Sequence, residues 1–174
     1  LFANTTADNN TAVGKSALAA NTTASDNTAL GESALQLNTT GTENTAVGSG
    51  ALDANTTASN NTAVGRNALT DNTTGAHNTA VGQNALYANT TGNYNTAVGQ
   101  AALKDSNGNN NTAVGMKALF ENSTGNNNSA VGYNAALNIT TGYSNTSLGA
   151  QALYTVTTAA HNVAIGNDAL KLST

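Results

Sequence analysis

Two histidines are the side chains in this chain that most readily support acid–base or metal chemistry. His77 and His161 occupy the same position in two copies of an internal repeat that lie five copies apart. If the copies stack at the spacing of paired β-strands, the two side chains are roughly 24 Å apart. One metal ion or one general base cannot serve both. We therefore interpret His77 and His161 as two separate surface histidines.

The other reactive side chains also fail to form a recognisable site. Ser and Thr are abundant, but the pattern gives them no neighbouring His and carboxylate, and Gly is spaced for turns rather than as a phosphate-binding loop. The chain has no Cys, which excludes disulfides, zinc–thiolate sites and a Cys nucleophile. The carboxylates match neither an EF-hand nor the G-G-x-G-x-D calcium repeat. They are Asp8, Asp26, Glu32, Glu43, Asp53, Asp71, Asp105, Glu121 and Asp168. We predict no enzyme activity, no metal and no cofactor.

Composition excludes further classes of function. The chain has 174 residues, a net charge of -4 and only five Lys and Arg, whereas nucleic-acid binding needs clustered cations. No apolar run approaches the roughly 18 residues that span a bilayer, so we expect no membrane insertion by this segment. Asn and Thr, with 30 and 29 copies, make up about a third of the chain. Too few large apolar residues remain to fill a conventional globular core.

The whole chain is one repeat. Its unit reads N-T-A-V-G-x-x-A-L-x-x-N-T-T-G-x-x, and successive units are 17 residues apart, except for 16 between Val98 and Val114. Such regular spacing argues against disorder and for a repeat architecture. We predict a single array over residues 1–174, with partial units at both ends.

The length of the unit indicates its fold. Seventeen residues are too few for a helix pair, and Thr, Asn, Val and Gly disfavour helix. The T-A-V stretch suits a short strand, and A-L-x-x-N-T-T suggests a second. Gly14 and Gly41, with their equivalents, are expected at turns of positive φ. The sequence therefore predicts an all-β parallel β-solenoid of about ten coils of 17 residues, forming a rod on the order of 50 Å long.

Stacking places equivalent residues above one another in columns, and variation within a column indicates its environment. Columns that accept only Val, Leu or Ile are predicted to be buried, whereas columns that mix Lys, Glu, Tyr and Ser face water. The predicted core is Val13, Leu18, Leu30, Leu35, Val47, Leu52, Val64, Leu69, Val81, Leu86, Val98, Leu103, Val114, Leu119, Val131, Leu148, Leu153, Ile165 and Leu170.

Two Asn columns are predicted to form amide ladders, in which each side chain bonds the amide or backbone of the next coil. The first ladder is Asn10, Asn27, Asn44, Asn61, Asn78, Asn95, Asn111, Asn128, Asn145 and Asn162. The second begins at Asn4 and Asn21 and is interrupted at Ile139 and Val156. The irregular stretch at 103–108, which is one residue short, is expected to change a turn rather than mark a domain boundary.

A single stack of such coils buries little apolar area. One Val and one Leu per coil contribute about 3 to 5 kcal/mol, and ordering 17 residues costs several times that. Backbone ladders offset part of the difference. We therefore expect several chains to pack side by side.

Threonine columns suggest an alternative function. Flat solenoid faces that carry Thr residues in regular columns can order water and bind ice. The N-T-T runs supply two candidate columns, which begin at Thr5 and Thr6. Adjacent strand residues face opposite ways, so we expect at most one of the two columns to face outward. Exposed Tyr residues such as Tyr94 and Tyr133 could instead contact glycans. The alternative prediction is a monomeric ice-binding or carbohydrate-binding β-solenoid.

The segment Asn162-Val163-Ala164-Ile165-Gly166 resembles the N-S-V-A-I-G signature of the head repeats of trimeric autotransporter adhesins, the YadA-like heads. The N-T-A-V-G units look like a variant of it and are similar to arrays in large bacterial surface proteins and phage tail fibres. The resemblance covers nearly the whole chain, although the family's head units are usually shorter. It implies a left-handed parallel β-roll that forms a side-by-side homotrimer, with the Val and Ile of the motif in the core.

The resemblance also implies a function. We expect a structural and adhesive fibre segment of an extracellular, cell-surface protein or of a phage tail fibre on the virion, which mediates attachment. Its expected partners are two further copies of the chain and a host surface protein or glycan.

Overall fold

The computed structural model describes residues 3–171, and over that range the chain is an all-β parallel β-solenoid without helices. Consecutive strands are neighbours in one sheet and pair in parallel, with Thr over Thr, Ala over Ala and Val over Val or Leu in the repeated register. The predicted all-β parallel β-solenoid is confirmed, with about nine turns between the first strand and the last. The ten strands are β1 (Thr11–Val13), β2 (Thr28–Leu30), β3 (Thr45–Val47), β4 (Thr62–Val64), β5 (Thr79–Val81), β6 (Thr96–Val98), β7 (Thr112–Val114), β8 (Ser129–Val131), β9 (Thr146–Leu148) and β10 (Val163–Ile165).

The second strand predicted for each unit is not formed, and each coil contains one strand of three residues followed by turns. Leu18 and its equivalents adopt φ near +50°, which is incompatible with an extended strand. The coils nevertheless stay hydrogen-bonded in this stretch, since Leu18 N donates to Ala34 O at 3.1 Å and Ala20 N donates to Gln36 O at 3.0 Å. Close stacking therefore continues around the coil without regular strand geometry.

Only one of the two Gly columns has the predicted positive φ. Gly65, in the first column, has φ +135°, and a Cβ there would lie 2.7 Å from Gly82 O in the next coil. The second column, with Gly41 and Gly75, does not have positive φ, so the prediction for it is wrong. Ala58 occupies this second column in another coil. Close approach between coils, rather than chain reversal, is what favours a small residue there.

The interior is narrower than predicted, and it is filled by Ala and Leu. The central Ala of each strand from β2 to β9, or Ser147 in β9, is buried, and the Leu column from Leu18 to Leu153 is fully buried where Leu is present. The strand side chains alternate, so a central residue that points inward requires its neighbours to point outward. A small side chain, Ala or Ser147, occupies the inward position of the strand, and Leu fills the remaining width of the interior.

The prediction that the strand-ending Val, Leu or Ile lies in the core of the chain is therefore wrong. These residues face outward, and their exposed fractions run from 36% at Val64 to 67% at Ile165, apart from the half-buried Val47. Leu170, also predicted as core, is 48% exposed because it lies in the last coil that the structure describes. The misplaced strand residues are Val13, Leu30, Val47, Val64, Val81, Val98, Val114, Val131, Leu148 and Ile165.

One coil exchanges the positions of its large and small interior residues. Ala136 occupies the position that Leu holds in other coils, with φ +52°, and Ile139 replaces the Asn of the second ladder. Both side chains are buried in the same apolar core. Ile139 is larger than the Asn that it replaces, and this offsets the loss of the Leu side chain at Ala136. The interior volume of this coil therefore stays close to that of its neighbours.

Candidate interaction faces

The first Asn ladder is present as predicted. At Asn44, the side-chain oxygen accepts a hydrogen bond from Asn61 N at 3.0 Å, and the side-chain nitrogen donates to Ala58 O at 2.9 Å. Asn27 and Asn61 repeat this arrangement, so a single side chain satisfies a backbone donor and a backbone acceptor of the next coil. These amides are committed to the fold and are not available to a ligand.

The second ladder lies beside the first. Asn38 Nδ2 donates to Asn21 Oδ1 at 3.0 Å and to Gly41 O at 2.9 Å, and Gly41 O also accepts from Asn27 Nδ2. The two ladders therefore meet at shared carbonyl groups inside the coil. Ser106 continues the second ladder by accepting from Asn122 Nδ2 at 3.2 Å, whereas Ile139 and Val156 interrupt it.

The outer surface of the sheet carries two parallel columns of side chains, which we term the T-A-V face. It consists of the first and third residue of every strand, with the central Ala pointing inward between them. The first column is Thr11, Thr28, Thr45, Thr62, Thr79, Thr96, Thr112, Ser129, Thr146 and Val163. The second column is the set of strand-ending Val, Leu and Ile residues that were expected in the core.

The T-A-V face contains no charged side chain in the ten strands that the structure describes. Charges lie beyond its edge, for example at Lys15 and Glu32, whose side chains form an exposed ion pair at 3.8 Å. A continuous apolar column that follows every strand of a sheet is unusual for the free surface of a monomer, where apolar residues are scattered. This face is the strongest candidate for an interface with another protein chain.

A second uncharged surface follows the N-T-T runs, and we term it the threonine corner. It consists of the two residues after each Asn of the second ladder, as in Thr39-Thr40 and Thr73-Thr74. The second Thr of each pair is exposed and the first is at least partly exposed. These residues lie in a bend rather than a strand, so they do not alternate between inside and outside.

The two histidines are exposed, as predicted, and each contacts an aromatic residue of a neighbouring coil. His77 stacks on Tyr94 with ring centroids 4.9 Å apart, and His161 meets Tyr143 edge to face at 5.1 Å. Among residues 3–171, no three His, Asp or Glu side chains converge as metal ligands would, and no cleft or cavity is enclosed. Over the same residues, no helix has the length and apolar character needed to cross a membrane.

Comparison of the chain with protein-family models, with curated proteins and with solved structures gave no match.

Proposed function

We propose that the chain is a structural and adhesive segment of a fibre, built from three copies that pack side by side through their T-A-V faces. The observation that carries the proposal is the outward apolar column that runs from Val13 to Ile165. Burying this column removes apolar area from water in every coil, which is the contribution that the thin interior of one chain lacks. A repeat that stacks in register also makes the interface as long as the rod.

Three chains rather than two are favoured by the resemblance to trimeric autotransporter heads, in which left-handed rolls surround a common axis. The resemblance implies that the Val and Ile of the motif lie in a core, and we place that core between the chains. Their outward orientation in one chain is compatible with this placement, since the same side chains then fill the centre of the assembly.

In this proposal, attachment to the target is mediated by the variable columns, which are the repeat positions that mix Lys, Glu, Tyr and Ser from coil to coil. They place the exposed residues Lys15, Arg66 and Tyr133 just beyond the edge of the T-A-V face. A fibre that repeats such positions along its length can display several weak contacts at once, and their combined strength exceeds that of any single contact. The expected location is outside the cell, on a bacterial surface or on a virion, and the expected target is a host surface protein or glycan.

The assembly is tested by placing charge on the T-A-V face. Val64→Asp combined with Val81→Asp is expected to yield a folded monomer of 17.2 kDa, because the two carboxylates would be desolvated between chains but are solvated in a single chain. Arg66→Ala, on a neighbouring exposed column, is the control and should leave the assembly intact. Light scattering gives the mass and far-ultraviolet circular dichroism checks the fold. An unchanged mass of the double variant would refute the interface.

A further inference from the structure

The threonine corner is not used by the proposed assembly, and its geometry differs from what strand alternation predicts. Residues 22 and 23, with their equivalents, form a bend, so both side chains of each pair reach the surface. Six consecutive coils carry an uninterrupted Thr-Thr pair at this position. The pairs are Thr5-Thr6, Thr22-Thr23, Thr39-Thr40, Thr56-Thr57, Thr73-Thr74 and Thr90-Thr91.

The first Thr of each pair is held in a fixed orientation by the neighbouring coil. Thr39 Oγ1 donates to Thr56 O at 3.0 Å, and Thr73 Oγ1 donates to Thr90 O at 3.0 Å. Thr5, Thr22, Thr56 and Thr140 make the same contact at 3.1–3.4 Å. These hydroxyl groups therefore repeat along the rod at the coil spacing of about 4.8 Å, with their rotamers fixed before any ligand arrives.

The threonine corner is also free of charge. Over the coils that the structure describes, its two columns contain Thr, Ser123 and Asn107, without an acidic or basic residue. A charged group would keep its own tightly bound water and would interrupt any regular hydration pattern. In the six coils from Thr5 to Thr91, the surface combines evenly spaced methyl groups with evenly spaced hydroxyl groups, each at one level per coil.

From this arrangement we propose that the threonine corner binds the surface of ice. Water next to a methyl group has restricted orientations, and a fixed hydroxyl beside it anchors such water by a hydrogen bond. Because the hydroxyl and methyl groups repeat at about 4.8 Å, water ordered on this corner is itself periodic and can merge with a growing crystal face. The first Thr of these pairs is already held by the next coil, as at Thr39 and Thr73, so little ordering of these side chains is needed on binding.

This activity goes beyond the proposed fibre and uses a different surface. The T-A-V face is assigned to contacts between chains, and the threonine corner lies on another part of the coil, separated from the strand by the buried Asn of the first ladder, such as Asn78. A trimer would display three such corners. Failure of the ice proposal would therefore leave the assembly proposal unaffected, because one is measured by ice growth and the other by mass.

The test replaces exposed Thr residues of three successive coils by Lys. Thr57→Lys, Thr74→Lys and Thr91→Lys together should weaken the inhibition of ice recrystallisation, so that at least about tenfold more protein is needed for the same effect. The matched control introduces the same three charges on an exposed column elsewhere. It carries Ser49→Lys, Gln83→Lys and Gln100→Lys and should inhibit recrystallisation as the unmodified chain does.

The outcomes separate the alternatives. Thermal melting and circular dichroism confirm that both triple variants are folded, and the single variant Thr74→Lys replaces the first one if it is not. Inhibition by the unmodified chain and by the control, together with its loss in the Thr variant, supports the proposal. Absence of inhibition by the unmodified chain, or equal loss in the two variants, overturns it.

Discussion

Asn107 supplies from its side chain the hydrogen-bond acceptor that the backbone supplies in other coils. Its Oδ1 atom accepts from both N and Oγ1 of Thr90, each at 2.7 Å. In an ordinary coil the acceptor is a main-chain oxygen, as when Thr90 O accepts from N and Oγ1 of Thr73 at 3.0 Å. The unit containing Asn107 is one residue short, and the carboxamide bridges the resulting gap. The stack therefore tolerates a deletion without losing its register.

Removing this acceptor should weaken the stack at one defined place. Asn107→Ala leaves both Thr90 donors without their partner, and we expect a loss of about 1–2 kcal/mol in the free energy of unfolding. Asn107→Asp keeps an oxygen in the same position and should recover most of that loss. Denaturant unfolding of the three proteins measures it, and equal stability of the alanine variant and the unmodified chain would contradict the assigned role.

The buried ladder should be far more sensitive than the exposed Asn beside it. Asn61→Ala removes the acceptor of Asn78 N and the donor to Gly75 O, both at 2.9 Å, and leaves these backbone groups buried. We expect a loss of about 2–5 kcal/mol. The exposed neighbour Asn60 has φ +62°, a conformation that Asp26 adopts in an equivalent coil, so Asn60→Asp should change stability little. Thermal melting of the two variants compares the positions, and similar losses would argue against the ladder.

The two Gly columns should respond differently to alanine. Gly82 has φ +136°, and a Cβ there would lie 2.5 Å from Gly99 O, so Gly82→Ala should cost at least about 2 kcal/mol. Gly75→Ala would place a Cβ even closer to a backbone oxygen, that of Gly92, but φ there is not positive and the same column already holds Ala58, so the coils can adjust and the variant should cost less. Unfolding in urea ranks the two variants. A larger loss for Gly75→Ala would show that contact between coils, rather than φ, decides the requirement for Gly.

Asp53 should make stability depend on pH in one direction. Burial raises the pKa of its carboxyl group above the usual 3.8, and its Oδ1 atom lacks a hydrogen-bond partner. The folded chain thus binds this proton more tightly than the unfolded chain, so the destabilisation is absent below 3.8 and grows as pH rises through the folded-state pKa. Asp53→Asn should stabilise the chain slightly at pH 7 and not at pH 3. Thermal melting of the variant and the unmodified chain at both pH values measures this difference, with Asp71→Asn as the charge-matched control. A stabilisation by Asp53→Asn that persists at pH 3 would contradict the assigned role of the Asp53 carboxyl group.

The spacing of the sequence was sufficient to predict the solenoid and both Asn ladders. Asn44 and its equivalents recur with the coil, and stacked carboxamides are the simplest way to satisfy such a column. The interruptions at Ile139 and Val156 were also visible, although the exchange between Ala136 and Ile139 was not. That exchange depends on which two columns share the interior, and spacing along the chain does not contain that information.

The sequence did not show whether the strand-ending Val faces the interior or the solvent. Ala80 and Val81 are adjacent strand residues, so one must face inward and the other outward, and both columns are uniform enough to look buried. The narrow interior decides in favour of Ala. The same limit applies to Thr73 and Thr74, where alternation was expected but a bend places both on the surface. Side-chain direction at these positions depends on turns whose φ values the sequence does not specify, such as that of Leu69.

The mass of the unmodified chain in solution tests most directly whether the outward Val column is an interface. Sedimentation equilibrium over a range of concentrations is expected to give three times the chain mass of 17.2 kDa. A monomer that remains at 17.2 kDa up to the highest concentrations would contradict the assembly, since the apolar column from Val13 to Ile165 would then be stable in contact with water.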